Sequence, residues 1–121
     1  MINKKGFTLI ECLVALFIIA IVLATASRSV GISLKDVQDN YVKTVAMWAT
    51  DNQINQFYLD GIYPELGKSN KDIMMANLEF NMEINVMQTG NPYFRKIEIT
   101  MNEKKNSEYK IYKTVTFVSQ Y

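Results

Sequence analysis

Residues 7–26 read FTLIECLVALFIIAIVLATA, an apolar run that one charged residue, Glu11, interrupts. At a rise of 1.5 Å per residue, an α-helix of this length spans roughly 30 Å, the thickness of the hydrocarbon core of a bilayer. The run therefore predicts a membrane-spanning helix. The rest of the 121-residue chain is long enough for only one small further domain.

Three kinds of N-terminal segment fit this region. A secretory signal peptide would be cut at the small residues Ala24-Thr25-Ala26. A signal anchor would stay uncut, with Lys4 and Lys5 keeping its start on the cytoplasmic side of the membrane. In the third kind, a short leader is removed before the apolar run, so that the run stays with the mature protein.

Glu11 separates these alternatives, because an acidic residue at the centre of an apolar segment costs roughly 2.5–3.5 kcal/mol, and less near an end. Neither a signal peptide nor a simple anchor has a use for this carboxylate. If the chain is cut between Gly6 and Phe7, the new α-amino group of Phe7 is a cation at the helix start, one turn before Glu11. In a staggered stack of such helices, Glu11 of one subunit can neutralise the amino terminus of its neighbour.

Residues 4–11, KKGFTLIE, resemble the recognition sequence of the type IV pilin superfamily. The resemblance implies cleavage after Gly6 by a prepilin peptidase, N-methylation of Phe7 to N-methylphenylalanine, and a role for Glu11 in filament assembly. Lys4 and Lys5 are then the basic part of the leader that sets orientation. The α+β fold that the superfamily implies is a long N-terminal helix, its first half transmembrane, packed on a small antiparallel β-sheet.

The composition argues against an enzyme. The chain has no histidine, and its single cysteine, Cys12, lies inside the apolar run. Zinc sites built from Cys and His, His-dependent nucleophilic catalysis and an intramolecular disulfide are therefore excluded. The net charge of +1 falls to −1 when the leader lysines are removed, and no long block of like charge is present to bind nucleic acid. We expect no cofactor, no metal and no small-molecule substrate.

The helical pattern continues beyond Ala26, and a single helix from Phe7 to Leu59 is predicted, ending at Asp60-Gly61. An apolar stripe with helical spacing is predicted to pack against the globular domain: Val30, Leu34, Val37, Tyr41, Val45 and Trp48. The predicted organisation is a leader at 1–6, the transmembrane half of the helix at 7–27, its periplasmic half at 28–59, and a small antiparallel sheet domain at 60–121.

The sheet domain is predicted to begin with a loop, Gly61–Asp72, which contains two glycines and a proline. Alternating apolar residues then predict a half-buried strand over 78–86 and a second over 96–101. A third strand, 109–118, is predicted without a clear assignment of its faces, because Lys113 interrupts the apolar residues.

Two downstream stretches resemble the minor pseudopilin I (GspI) family of type II secretion systems. One is WATDNQI at 48–54, leading through Leu59, Gly61 and Pro64 to Gly67; the other is NPYFRKIEI at 91–99. Tyr63 departs from the family, which tends to have tryptophan there, and the stretch 110–121 matches nothing diagnostic.

This resemblance implies a structural component of a short periplasmic pseudopilus that supports export of folded proteins across the outer membrane. The implied location is the inner membrane, in a single pass with the N-terminus cytoplasmic and the C-terminal domain periplasmic. The implied partners are the minor pseudopilins J, K and H (GspJ, GspK and GspH), the major pseudopilin, and the prepilin peptidase that processes the chain. Two alternatives remain open: a minor pilin of a type IV pilus or DNA-uptake system, and a soluble periplasmic binding module released after Ala26.

Within the helix, Met47, Phe57 and Tyr58 fall away from the predicted packing stripe, and Ile54 lies at its border. Because exposed apolar patches mark partner surfaces, helix region 44–58 is predicted to contact the partner pseudopilins, with Phe57 as an anchor. The alternative is that these side chains pack under the Gly61–Asp72 loop.

Overall fold

The computed structural model describes residues 5–120. A helix, α1 (Leu9–Asp60), is followed by four strands: β1 (Gly67–Met75), β2 (Leu78–Gln88), β3 (Phe94–Glu103) and β4 (Asn106–Ser119). The strands form one antiparallel sheet in the order β1-β2-β3-β4. The predicted α+β fold with a pilin-like long helix and small antiparallel sheet is confirmed. The chain divides after Gln38 into two compact units.

In the first unit, the described residues 5–38 are all exposed. Within residues 5–120, α1 is the helix long and apolar enough to cross a membrane. Such a segment suits lipid because an α-helix satisfies its backbone hydrogen bonds internally. The helix ends near the predicted position, at Asp60, and is followed by Gly61 with a φ of 58°. Glycine is favoured after a helix because it adopts this left-handed conformation without a Cβ clash.

The core of the second unit lies on one face of the sheet. Alternate residues of β2 and β3 supply most of it, as their period-two pattern predicts: Phe80, Met82, Ile84, Val86, Ile97, Ile99 and Met101. The helix contributes Val45, Ala46 and Ala49 to the same cluster. The two alanines are small, so they allow close approach to the sheet.

The predicted packing stripe of the helix is wrong except at Val45. The other five members are exposed: Val30, Leu34, Val37, Tyr41 and Trp48. The buried helix residues are instead Val45, Ala46, Ala49 and Thr50. The hydroxyl of Thr50 donates to the carbonyl of Ala46 at 2.9 Å, which satisfies it inside the core. The spacing of large apolar residues therefore selected the wrong face, because the contact is made largely by small ones.

The predicted loop at 61–72 is too long, because β1 begins at Gly67. This strand lies at an edge of the sheet, and its first six residues are polar or glycine and exposed. No apolar alternation was present to reveal it. The strand predicted at 109–118 is confirmed and extends over Asn106–Ser119. Its pairing with β3 shifts register between Met101 and Glu103, which accounts for the ambiguous faces, since Ile111 and Tyr112 both pack against the core.

Candidate functional site

The first turn of α1 is closed by Thr8 and Glu11. The backbone N–H of Thr8 donates to Oε2 of Glu11 at 2.8 Å, and the Thr8 hydroxyl donates to the same oxygen at 3.1 Å. In return, the backbone N–H of Glu11 donates to the Thr8 hydroxyl at 3.3 Å. This reciprocal arrangement is a capping box, in which two N–H groups that lack helical partners are satisfied by side chains.

Thr8 is therefore a site residue that the sequence analysis missed. The signal was present, because threonine followed three residues later by glutamate and then by an apolar run is the sequence pattern of a capping box. The second carboxylate oxygen of Glu11, Oε1, accepts no hydrogen bond within the described residues. Glu11 thus caps its own helix with one oxygen and leaves the other able to accept a bond from a cation.

The surroundings of Glu11 are aliphatic. A shallow cavity of about 310 Å³ lies beside it, lined by Ile10, Glu11, Val14, Ala15 and Ile18. Thr25, near the far end of the apolar run, differs because its hydroxyl donates to the carbonyls of Ile21 and Val22 at 3.1 and 2.9 Å. Glu11 therefore stands out as a charged group with acceptor capacity left in an apolar setting, where ionisable residues usually have a function.

Gly6 and Phe7 precede the helix and are exposed, with no regular secondary structure. A Cβ built on Gly6 would meet no heavy atom within 4 Å, so nothing in the fold itself requires a glycine there. Lys5 is likewise exposed. Lys4, the other predicted leader lysine, lies outside the described residues.

The four residues of the predicted partner interface do not share one environment. Ile54 and Phe57 are partly buried and pack against the core of their own chain. Phe57 also lines a cavity with Pro64 and Leu66, as the alternative of packing under the 61–72 loop predicts. Met47 and Tyr58 are exposed. The Tyr58 hydroxyl nevertheless donates to the carbonyl of Phe117 in β4 at 3.1 Å.

The two downstream stretches that carry the family resemblance meet in space. The Tyr63 hydroxyl donates to the carbonyl of Pro92 at 3.1 Å. The guanidinium of Arg95 lies 4.1 Å from the centroid of the Tyr63 ring, and its Nη1 donates to the carbonyl of Pro64. We call Tyr63, Pro64, Pro92 and Arg95 the loop clasp. It fastens the connection between α1 and β1 to the turn between β2 and β3, which is a structural role.

No group of three or more His, Cys, Asp or Glu side chains in the described part of the chain could hold a metal ion. Cys12 is a free, exposed cysteine in the apolar part of the helix.

Comparison with known families gives two matches. The sequence profile of the prokaryotic N-terminal methylation motif matches residues 1–27. That of type II secretion system (T2SS) protein I matches residues 42–119. The first match covers the predicted leader, the capping box and the apolar run, and the second covers the sheet domain and the helix region that packs on it.

Curated relatives agree with the second match. The chain is similar to type II secretion system protein I of Pseudomonas aeruginosa, with 31% identity over 84% of this chain and 79% of that protein. It is also similar to proteins of the same name from Pectobacterium carotovorum, with 30% identity over 87% of both chains, and from Klebsiella pneumoniae, with 24% identity over 97% of both.

Proposed function

Because the chain belongs to the type II secretion system protein I family, we propose that it is a structural minor pseudopilin of the pseudopilus tip complex. Its partners are the minor pseudopilins J, K and H and the major pseudopilin. It performs no catalysis. The observation that carries the proposal is the N-terminal methylation motif joined to a helix whose one acidic residue in the apolar run, Glu11, is exposed and caps the first turn.

Processing comes first in the proposed role. The prepilin peptidase cuts after Gly6, at the inner membrane, and the new amino group of Phe7 is methylated. The cut falls in the non-helical segment ahead of Leu9, so it need not unwind a helix. The apolar helix then remains as the single membrane anchor, with the N-terminus on the cytoplasmic side and the sheet domain in the periplasm.

Assembly uses the open oxygen of Glu11. In the proposed contact, Oε1 accepts from the amino terminus of a neighbouring subunit while Oε2 keeps its bonds to Thr8. A charged group with no partner in an apolar contact is strongly destabilising. Pairing the amine with the carboxylate gives each of the two charges a partner. The negative charge near the start of the helix is also favoured by the helix dipole.

The test is Glu11→Leu in the full-length chain, expressed with its partner pseudopilins. We expect membrane insertion at least as efficient as in the wild type, and loss of co-purification with the partners. Glu11→Gln is the matched control for charge, because its amide oxygen can still accept from Thr8 while the negative charge is gone. It should associate as poorly as Glu11→Leu. Normal co-purification of either variant would contradict the charge-pairing role.

The partner contact is proposed for helix region 44–58. Met47 and Tyr58 supply its exposed surface, and Ile54 and Phe57 support it from the core side. Tyr41 and Trp48 offer a second exposed apolar surface in this unit. Together with Val30, Leu34 and Val37 they follow a spacing of three, four and seven residues, which is typical of helices that pack on other helices.

Two full-length variants distinguish these surfaces: Met47→Asp and Trp48→Asp. Each adds a charge at an exposed position, so the fold is expected to be kept. If region 44–58 binds through Met47, only Met47→Asp loses co-purification with pseudopilin J. Loss in Trp48→Asp alone would move the contact to the other surface of the helix. Phe57→Asp is a poor test, because Phe57 packs against the core.

A further inference from the structure

One edge of the sheet is open. β1 pairs with β2 along its whole length, and the order β1-β2-β3-β4 leaves its other side without a strand among residues 5–120. The strand contains no proline, and residues 67–72 are all exposed. An exposed edge presents unpaired backbone N–H and C=O groups to which an extended segment can be added as a further strand.

Two cavities border this edge on the side of the sheet that carries the core. The first has a volume of about 400 Å³ and includes the apolar residues Phe57, Pro64, Leu66, Ile84 and Val86 in its lining. The second has a volume of about 280 Å³ and includes Ala49, Ile73, Met75 and Met82. Each is large enough for an apolar side chain, and each reaches β1.

Among the β1 residues that line these cavities, three alternate along the strand. Ser69, Lys71 and Ile73 pair with Ile84, Met82 and Phe80. Since directly paired residues share a face of the sheet, the three face the core side. Ser69 lines the first cavity, whereas Lys71 and Ile73 line the second.

Lys71 places a positive charge in the middle of this row. Its ammonium donates to the side-chain oxygen of Gln53, which is neutral. Lys71 therefore has no anionic partner within residues 5–120. By contrast, Lys68 on the same strand pairs with Glu83 at 3.7 Å. Lys68 and Glu65 are the charged residues in the lining of the first cavity, and Glu65 lies outside β1.

We propose that the β1 edge binds an extended segment of a partner protein as a fifth strand, with the pattern apolar–x–acidic–x–apolar. In an extended segment, side chains on one face recur about every 6.6–6.8 Å, as do Ser69, Lys71 and Ile73 in β1. The two apolar side chains fill the two cavities, and the acidic one pairs with Lys71. The positive charge of Lys71 and the apolar residues in the lining of each cavity favour this occupant.

The proposal does not depend on the pseudopilus role, because a synthetic peptide tests the edge directly. The probe is a fluorescein-labelled peptide, TLTETLT, with blocked ends, titrated with the full-length chain in lipid nanodiscs and followed by fluorescence anisotropy. We expect saturable binding that Lys71→Gln weakens about three- to fivefold, the upper end of the range for one partly exposed ion pair. The matched control is Lys110→Gln, which removes the same charge from an exposed position in β4, at the opposite edge of the sheet, and should leave the affinity within about twofold.

Two further measurements identify the binding mode. Lys71→Glu should reject TLTETLT and bind the charge-reversed peptide TLTKTLT instead. N-methylation of alternate residues gives two peptides, and only the one that keeps the N–H groups facing β1 should bind, because strand addition uses every second N–H group. Absence of saturable binding, equal loss from Lys110→Gln and Lys71→Gln, failure of the charge reversal, or equal binding of both N-methylated peptides would each overturn the proposal. The last result would mean that backbone hydrogen bonds to β1 do not contribute to binding.

Discussion

Residues 9–38 and residues 39–120 differ in whether the chain buries their side chains. In the first region every side chain is exposed, so the chain itself buries none of its leucine, isoleucine, valine and phenylalanine residues. In the second, the sheet and the helix residues Val45, Ala46 and Ala49 close a core around Ile97 and Ile99. The first region buries no side chain of its own and contains the segment that is long and apolar enough to cross a membrane, whereas the second is stabilised by its own packing.

This difference governs what each region's sequence has to encode. A segment that other molecules recognise needs a few residues at fixed positions, so Gly6, Phe7 and Glu11 could be proposed as site residues from their order and chemistry alone. A segment that builds its own core needs many side chains whose sizes and positions fit together. No short motif identifies such a set of residues. Substitutions in the two regions should consequently fail in different ways.

The largest expected effect lies at the cleavage site. Gly6→Val should leave the chain uncut in the membrane, because the peptidase must approach the Gly6–Phe7 bond closely and a branched side chain obstructs it. A Cβ at Gly6 would meet no heavy atom within 4 Å, so a processing defect in this variant would not come from a clash within the protein itself. Mass spectrometry of the N-terminus measures the result.

Gly31→Val is the control for that experiment. A Cβ at Gly31 also meets nothing within 4 Å, but the residue lies far from the cut, so normal trimming is expected. A correctly trimmed Gly6→Val chain would contradict the prepilin interpretation of the N-terminus.

The next effect belongs to the core. Ile99 is fully buried, and removing its side chain beyond Cβ should lower the free energy of unfolding of the sheet domain by about 2–5 kcal/mol. Ile99→Ala should therefore increase hydrogen exchange of the β2 and β3 amides in the full-length chain. Ile19→Ala makes the same change at an exposed position in the first region. It should leave that exchange unchanged, and equal effects of the two variants would remove the distinction between the regions.

The sequence predicted the sheet only where one face of a strand is covered. In β2, apolar residues alternate from Leu78 to Val86, and the structure buries that face. β1 has no such alternation, because its first residues are exposed on the open edge. The sequence therefore predicts a loop where β1 begins.

The helix face was missed for a different reason. Tyr41 and Trp48 are large and apolar, so they dominate a periodicity pattern, yet they are exposed. The face that contacts the sheet is made of Ala46, Ala49 and Thr50, which contribute little to such a pattern. Small residues allow the helix to approach the sheet closely but add little hydrophobicity. A search for regularly spaced apolar residues therefore does not detect them. The loop clasp could not be predicted from the sequence either, because Tyr63 and Arg95 are brought together only by the sheet.

A smaller effect is expected at the loop clasp. Tyr63→Phe removes the hydroxyl that donates to Pro92 but keeps the ring beside Arg95, so it should cost about 0.5–1.5 kcal/mol of stability. Tyr109→Phe is the matched control, since Tyr109 is exposed and its hydroxyl makes no hydrogen bond in the described part of the chain. Thermal unfolding of the full-length chain compares the two variants. Equal midpoints would show that the hydrogen bond from the Tyr63 hydroxyl contributes nothing measurable.

The smallest effect concerns charges on the face of the sheet that carries no core. Glu98 accepts from Lys96 at 2.8 Å and lies 3.5 Å from Lys113. The hydrogen bond from Lys96, aided by the charge of Lys113, lowers the pKa of Glu98 below its usual value of 4.5, although partial burial opposes the shift. A lowered pKa in the folded state means that the carboxylate stabilises the fold above about pH 4.5, and that this contribution disappears as the pH falls through the folded-state pKa.

Glu98→Gln should therefore unfold at a lower temperature than the wild type near neutral pH, and the difference should shrink as the solution is acidified below the usual glutamate pKa. The gap closes because the wild type loses its ionised carboxylate, whereas the glutamine does not titrate. Glu108→Gln is the control, since its carboxylate forms no ion pair in the part of the chain that the structure describes, and its difference from the wild type should change less with pH. A difference for Glu98→Gln that stays constant on acidification would mean that the two lysines do not stabilise the folded chain through this carboxylate.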